Sequence, residues 1–248
     1  MQPKIKLEHL SMVFETKSGP LVVLQDLNSE ICDREFVSII GPSGGGKSTL
    51  LHIIAGLKSP TSGKVLLDGR EITGPGKRLG VVFQEDAIFP WRTVIENVEY
   101  GPEISEVSKK EREEIARKYL KLVNLERFEN FYPKDLSGGM KKRVALATVY
   151  ANDPEILLMD EPFGSLDYPT KVELQQQLLD IWEKETKTLV FVTHDIEEAL
   201  FLSDRILVLR NGNFKLEHKV DFPRPRENSI RTESEFQAVK RMLWESYL

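Results

Sequence analysis

The sequence predicts an α/β protein built on a mostly parallel sheet. Three observations carry this. Four short apolar segments, 35–40 (EFVSII), 155–160 (EILLMD), 188–193 (TLVFVT) and 205–210 (RILVLR), read as buried strands. Helical segments at 46–56, 169–186 and 196–203 alternate with them, which implies a parallel sheet covered on both faces. A glycine-rich run joins the first of these strands to the first helix, the place where a phosphate-binding turn opens a helix.

The remaining elements follow along the chain. Residues 4–14 and 21–32 read as strands separated by a polar turn from Thr16 to Pro20. Residues 63–68 and 79–83 read as further strands, with Gly63, Gly69 and Gly74-Pro75-Gly76 as punctuation. From about 92 to 151 the pattern is helical: Ser108 with Glu111 makes a capping box, and Ile115, Tyr119, Leu122 and Val123 follow at helical spacing. This middle, roughly 86–152, is expected to be a lobe inserted into the α/β core. In the tail, Phe236, Val239 and Leu243 share one helical face, so residues 227–248 are expected to pack as a helix.

Size and composition bound the function. The 248 residues suit one large domain or one domain with an inserted lobe. Hydrophobic residues at 40% and charged residues at 29% are ordinary for a soluble globular chain. A net charge of −5 argues against a dedicated nucleic-acid binder, so no nucleic-acid partner is expected. Cys32 is the single cysteine, which excludes an intramolecular disulfide and suits a reducing compartment; it is expected to be a small buried strand residue. The first 14 residues lack the apolar core of a signal peptide, and no run of about 18 apolar residues offers a membrane span. Any work at a membrane then needs another chain to cross it.

Two motifs carry chemistry. Gly41, Gly46, Lys47 and Ser48 satisfy G-x-x-x-x-G-K-[ST]. Phosphate needs many donors converging on a small volume, and glycines let backbone N–H groups point inward without side-chain clash. The run Gly41, Pro42, Ser43, Gly44, Gly45, Gly46, Lys47, Ser48 and Thr49 is therefore a candidate nucleotide-binding loop, with Lys47 reaching the terminal phosphates and the Ser48 hydroxyl directed to Mg²⁺. Asp160 and Glu161 end an apolar strand, where ligands sit in open α/β sheets. Asp160 is placed to bind Mg²⁺ and Glu161 to polarise an attacking water; two adjacent carboxylates need different environments to hold different roles.

Further motifs fall in a fixed order: VVFQ (81–84), LSGGM (136–140), DEPFGSLD (160–167) and TLVFVTHD (188–195). Together with the glycine loop they resemble the ATP-binding-cassette (ABC) ATPases along almost the whole chain. The resemblance implies a P-loop NTPase core with a mostly parallel sheet, an N-terminal antiparallel β subdomain and an inserted helical subdomain, with residues 1–226 as the ATPase domain. It implies ATP and Mg²⁺ as ligands. Gln84 then contacts Mg²⁺ and the attacking water, and His194 contacts the γ-phosphate and holds that water. Ser137, Gly138 and Gly139 open a helix and form a second anion site facing ATP bound by a second copy, in a head-to-tail dimer. Asp167 lies along that interface, and Phe14 matches the aromatic that stacks on adenine, with a core or strand-face phenylalanine as a close second reading. Met140 stands where glutamine is commoner, and Thr148 where relatives usually carry arginine; a local packing change is expected there. His9, His52 and His218 match no motif and are expected to be structural or exposed.

Within the family, DAIFPWRTVIENVEYG (86–101), LSGGM and DFPRPR (221–226) resemble the nitrate, sulfonate and taurine importer ATPases, a group that also includes pyrimidine-precursor and thiamine-related importers. That implies a peripheral subunit on the cytoplasmic face of the inner membrane, separate transmembrane permease chains, and an extracytoplasmic solute-binding protein acting indirectly. The solute is expected to be small, of the anionic, sulfonate, nitrate or pyrimidine-like class. Residues around Gln84 to Trp91 are expected to form the permease-docking groove, with Trp91 either an anchor or a core residue. With only a short stretch after RPR in this sequence, the regulatory domain of sugar-importer ATPases is expected to be absent; Arg224 and Arg226 could equally be solvated surface charges, and no site role is assigned to them. The rival reading is a soluble ABC ATPase of nucleic-acid maintenance or translation; the single cassette and the short gaps between motifs argue against it.

Overall fold

A computed structural model describes residues 3–85 and 87–247. Asp86, the expected first residue of the helical lobe and a member of the expected docking groove, lies outside the described residues, as do Met1, Gln2 and Leu248. The chain forms two compact units, one of residues 1–76, 158–161 and 186–248 and the other of residues 77–157 and 162–185.

The first unit contains two sheets. β1 (Ile5–Thr16), β2 (Gly19–Ile31), β4 (Ser62–Leu67) and β5 (Arg70–Glu71) form an antiparallel sheet of order β2-β1-β4-β5. The β1–β2 hairpin turns in two residues, Lys17 and Ser18, tighter than the five-residue turn expected. Thr16 donates from its hydroxyl to Gly19 O at 2.7 Å, closing the turn. The second sheet has β3 (Phe36–Ile40) between β8 (Thr188–Thr193) and β9 (Arg205–Arg210), all parallel. β7 (Ile156–Asp160) lies on the far side of β8. Every residue of β3, β7 and β8 is buried, which is why these strands read as unbroken apolar runs.

β10 (Asn213–Lys219) completes this sheet as an antiparallel edge on β9, and sequence reasoning did not find it. Its residues are half-buried or exposed throughout, so it lacks the apolar signal of a core strand. Helices α1 (Lys47–Ile54), α6 (Ile196–Leu202) and α7 (Ser234–Tyr247) cover the unit, and α7 buries Phe236 and Leu243. Val239 lies only half-buried on the same helix.

The Cys32 expectation is corrected here, and the reading left open for Arg224 and Arg226 is decided. Cys32 is exposed, because β2 ends at Ile31 and the next amide instead donates to Glu35 Oε2 at 2.7 Å. Arg226 is buried at 2% exposure; its guanidinium donates to Ser203 O at 2.8 Å, Phe201 O at 3.0 Å and Phe222 O at 3.1 Å. Arg224 pairs with Asp204 at 2.8 Å and donates to Leu202 O at 2.6 Å. Both arginines therefore satisfy carbonyls at the end of α6 rather than facing solvent.

The second unit holds β6 (Leu79–Val82), the first residues of β7, and four helices: α2 (Val94–Ile104), α3 (Lys109–Leu122), α4 (Gly138–Ala151) and α5 (Tyr168–Glu185). Val94, Val98, Ala116, Leu120, Val144 and Ala147 form its fully buried core. The compact unit thus extends beyond 86–152 to take in β6 and α5. Ser108 caps α3 through Glu111 N, while the reciprocal capping box forms at Thr93 and Glu96 of α2. Buried Asn97 fixes the preceding loop: its amide oxygen accepts from Phe89 N at 2.7 Å and its nitrogen donates to Thr93 O at 2.9 Å. Thr148 donates to Val144 O within α4 at 2.9 Å, so the position expected to carry arginine makes only a local bond. Among the described residues no helix is long and apolar enough to cross a membrane.

Candidate functional site

In the first unit the glycine loop runs from the end of β3 into α1. A Cβ on Gly41 would stand 2.1 Å from Leu209 O, so only glycine admits the close approach of loop and β9. Gly46 caps α1 at φ 94°, a left-handed conformation that other residues adopt at a cost. The loop therefore presents its backbone where the sequence placed a phosphate cradle.

Lys47 is 4% exposed, and its ammonium donates to Gly41 O at 2.9 Å and Pro42 O at 3.1 Å. It lies 3.6 Å from Glu161 Oε1. The second oxygen of Glu161 is 2.9 Å from His194 Nδ1. Glu161 has φ 43°, in the left-handed region that residues other than glycine seldom adopt, and its N–H donates to Val192 O at 2.9 Å. Such backbone strain is tolerated where neighbours over-determine it, here β8 and the two side-chain partners.

The adjacent carboxylate has separate partners. Ser48 donates from its hydroxyl to Asp160 Oδ1 at 2.9 Å, joining residues 112 apart in sequence. Burial pushes the Asp160 carboxyl above the usual carboxylate range, with Glu161 adding to the effect and Ser48, His52 and Lys47 opposing it. His52 Nε2 lies 3.9 Å from Asp160 Oδ2, a proximity that sequence reasoning missed. The signal was available: Ser48 and His52 are four apart on α1 and so share a face. His9 is exposed and pairs with Asp26 at 2.8 Å. Phe14 is half-buried on β1, with Lys58 Nζ 4.8 Å from its ring centroid.

The other motif residues lie in the second unit. Gln84 is exposed just after β6, and its carbonyl accepts from Lys142 Nζ. Ser137 caps α4, accepting from Met140 N at 3.3 Å; Ser137 and Gly138 are exposed and Gly139 is buried. The exposed Asp167 carboxylate accepts from Thr170 N at 3.2 Å and Thr170 Oγ1 at 3.1 Å, and these bonds hold its pKa low. Trp91 is 71% exposed, which excludes the core reading; its ring lies 5.4 Å from that of Phe89.

Comparison with known proteins gives the family. Residues 24–164 match the ABC transporter domain. An uncharacterized ABC transporter ATP-binding protein of Methanocaldococcus jannaschii is 51% identical, covering 98% of this chain and 91% of the relative. The nitrate import ATP-binding protein of Synechocystis sp. is 45% identical over 94% of this chain and 90% of its own length. An aliphatic sulfonates import ATP-binding protein of Bacillus cereus is 40% identical over 98% and 95%. Among solved structures, a dimeric ATP-binding cassette in a post-hydrolysis state bound to ADP and Pi superposes with a TM-score of 0.78 at 38% identity, covering 88% of this chain and all of that one. The α/β fold with an antiparallel N-terminal sheet agrees with these neighbours. With the domain matched over more than half of the chain and relatives aligned along nearly all of it, the protein belongs to the ABC transporter family as an ATP-binding subunit, and is an ATPase.

Proposed function

We propose that this ATPase powers an importer for a small anionic or sulfonate-, nitrate- or pyrimidine-like solute, acting through separate permease chains at the cytoplasmic face of the membrane. The nitrate and sulfonate import relatives support the importer reading and the solute class. The observation that carries the catalytic part is the pair of contacts Lys47–Glu161 and Glu161–His194 beside the glycine loop.

Lys47 exchanges its two carbonyls for phosphate oxygens, and the loop amides take the rest of the charge. Glu161 polarises the attacking water and takes its proton; the new bond forms to the γ-phosphorus, the bond to the bridging oxygen breaks, and ADP carries away that electron pair. His194 holds the Glu161 carboxylate in line. Ser48 and Asp160, already joined at 2.9 Å, offer hard oxygen donors suited to Mg²⁺. When bound, Mg²⁺ neutralises charge on the phosphates. Phe14 stacks on adenine. Ser137, Gly138, Gly139 and Asp167 serve ATP held by a second copy, a reading supported by the dimeric cassette neighbour. The loop around Gln84 to Trp91 receives the permease, and exposed Trp91 is its anchor. Residues 1–226 form the ATPase domain, with 227–248 a helical tail. A solute-binding protein acts indirectly from outside.

Affinity purification of the tagged protein from its native membranes tests this. Recovery of multi-span permease chains is expected. Recovery of ribosomes or DNA without them would contradict the importer reading.

A further inference from the structure

We propose that Tyr247 is a positioning residue for nucleotide binding, holding the phosphate loop through Gly41 when Lys47 moves onto phosphate. The inference rests on the role given to Lys47 above.

The Tyr247 hydroxyl donates to Gly41 O at 3.1 Å, and Lys47 Nζ donates to the same oxygen at 2.9 Å. Gly41 is buried. A carbonyl has two lone pairs, so both donors fit. Lys47 must leave Gly41 O to reach a phosphate. Without a second donor, that departure strands a buried acceptor, and the cost falls on nucleotide binding. Tyr247 keeps the acceptor satisfied in both states.

The tyrosine is built to stay there. Its ring stacks on Trp244, with centroids 5.8 Å apart and planes 7° from parallel. One face of α7 is fixed by fully buried Phe236 and Leu243, two turns apart. Its flank is fixed to α6 by Glu197, which binds Lys240 at 2.5 Å and Arg231 at 3.0 Å. Arg231 in turn sits 3.9 Å over the Phe201 ring. α6 starts two residues after His194, so α7 touches both the helix behind His194 and the phosphate loop. Burial, with the Glu161 charge second, raises the phenol pKa further above neutrality, where the hydroxyl is already protonated and able to donate.

The test is Tyr247→Phe, which removes one oxygen and keeps the ring on Trp244. ADP with Mg²⁺ is titrated into wild type, Y247F and Lys47→Ala, and each is melted with and without nucleotide. In the free protein Lys47 still satisfies Gly41 O, so the nucleotide-free melting temperature of Y247F is expected to match wild type. Its ADP dissociation constant is expected to rise about threefold to tenfold, as for one lost hydrogen bond, with KM for ATP rising and kcat kept. Loss of binding in K47A with wild-type binding in Y247F overturns the Tyr247 role alone. Wild-type binding in K47A removes the reading of Lys47 on which the proposal rests. A Y247F protein that melts below wild type by the same margin with and without nucleotide, with unchanged affinity, makes the tyrosine a structural tether and also overturns the proposal.

Discussion

Arg226→Ala is expected to destabilise the protein more than any other arginine truncation in the region that follows β10. The guanidinium is 2% exposed and makes three bonds of 2.8 to 3.1 Å, to Ser203 O, Phe201 O and Phe222 O. Bonds to a charged donor contribute about 1.5–3 kcal/mol each, which would sum to roughly 5–9 kcal/mol. Two effects reduce that. Deleting the side chain also removes the cost of burying its charge, and water enters the space to meet some of the carbonyls. A net loss of about 3 kcal/mol is the reasonable central value. For a chain of this size each kcal/mol lowers the melting temperature by about 2–4 °C, so a drop of about 6–12 °C is expected. Arg226→Lys should recover less than half, because a single ammonium nitrogen cannot span the carbonyls that Nη1 and Nη2 reach separately. Arg241, 84% exposed beside Glu245, is the control, and its alanine variant should melt within about 1 °C of wild type. Thermal melting followed by circular dichroism reads all three. An R226A melt within about 1 °C of wild type would refute the argument that the buried guanidinium holds the end of α6.

Three further outcomes are expected. Lys47→Ala should lose ATP binding or hydrolysis, read by nucleotide titration and phosphate release; tight binding with normal turnover would remove its role. His194→Ala should lower kcat by about 10²-fold or more, because Glu161 loses the partner that fixes its second oxygen, while ATP affinity changes by less than about threefold. Burial works to raise the Glu197 carboxyl, but Lys240 and Arg231 outweigh it and hold the pKa below 4.5. A lowered carboxylate contributes stability that is present above its unfolded pKa and lost as pH falls through the folded value. Glu197→Gln should therefore narrow the difference in melting temperature between about pH 6 and about pH 3.5, and an unchanged difference would contradict this.

Much of the fold was legible because burial on both faces leaves a plain trace. The segments 188–193 and 205–210 coincide with β8 and β9, and 35–40 and 155–160 differ from β3 and β7 by one residue. β10 escaped because an edge strand that is half-exposed has no apolar face to show. Cys32 was misjudged and Arg226 left open for a related reason. Side-chain type gives an average burial, while these two positions depend on where β2 ends and on which carbonyls α6 leaves open. In the candidate site, the spacing of the glycine loop gave Lys47 and Ser48, and the strand end gave Asp160 and Glu161. Their pairing across the sheet is a matter of topology: Ser48 meets Asp160 because α1 and β7 converge on one end of the strands. His52 was legible in principle from the turn of α1. Tyr247 was not, because its contact with Gly41 spans 206 residues and no local pattern encodes it.

The central claim is that Glu161 drives hydrolysis at a site completed by a second copy. The most direct measurement is on Glu161→Gln, with phosphate release and the molar mass in solution recorded in ATP. The account predicts retained ATP binding, turnover reduced to background, and accumulation of an ATP-bound dimer. Wild-type-like hydrolysis by that variant, or a monomer at saturating ATP, would contradict it.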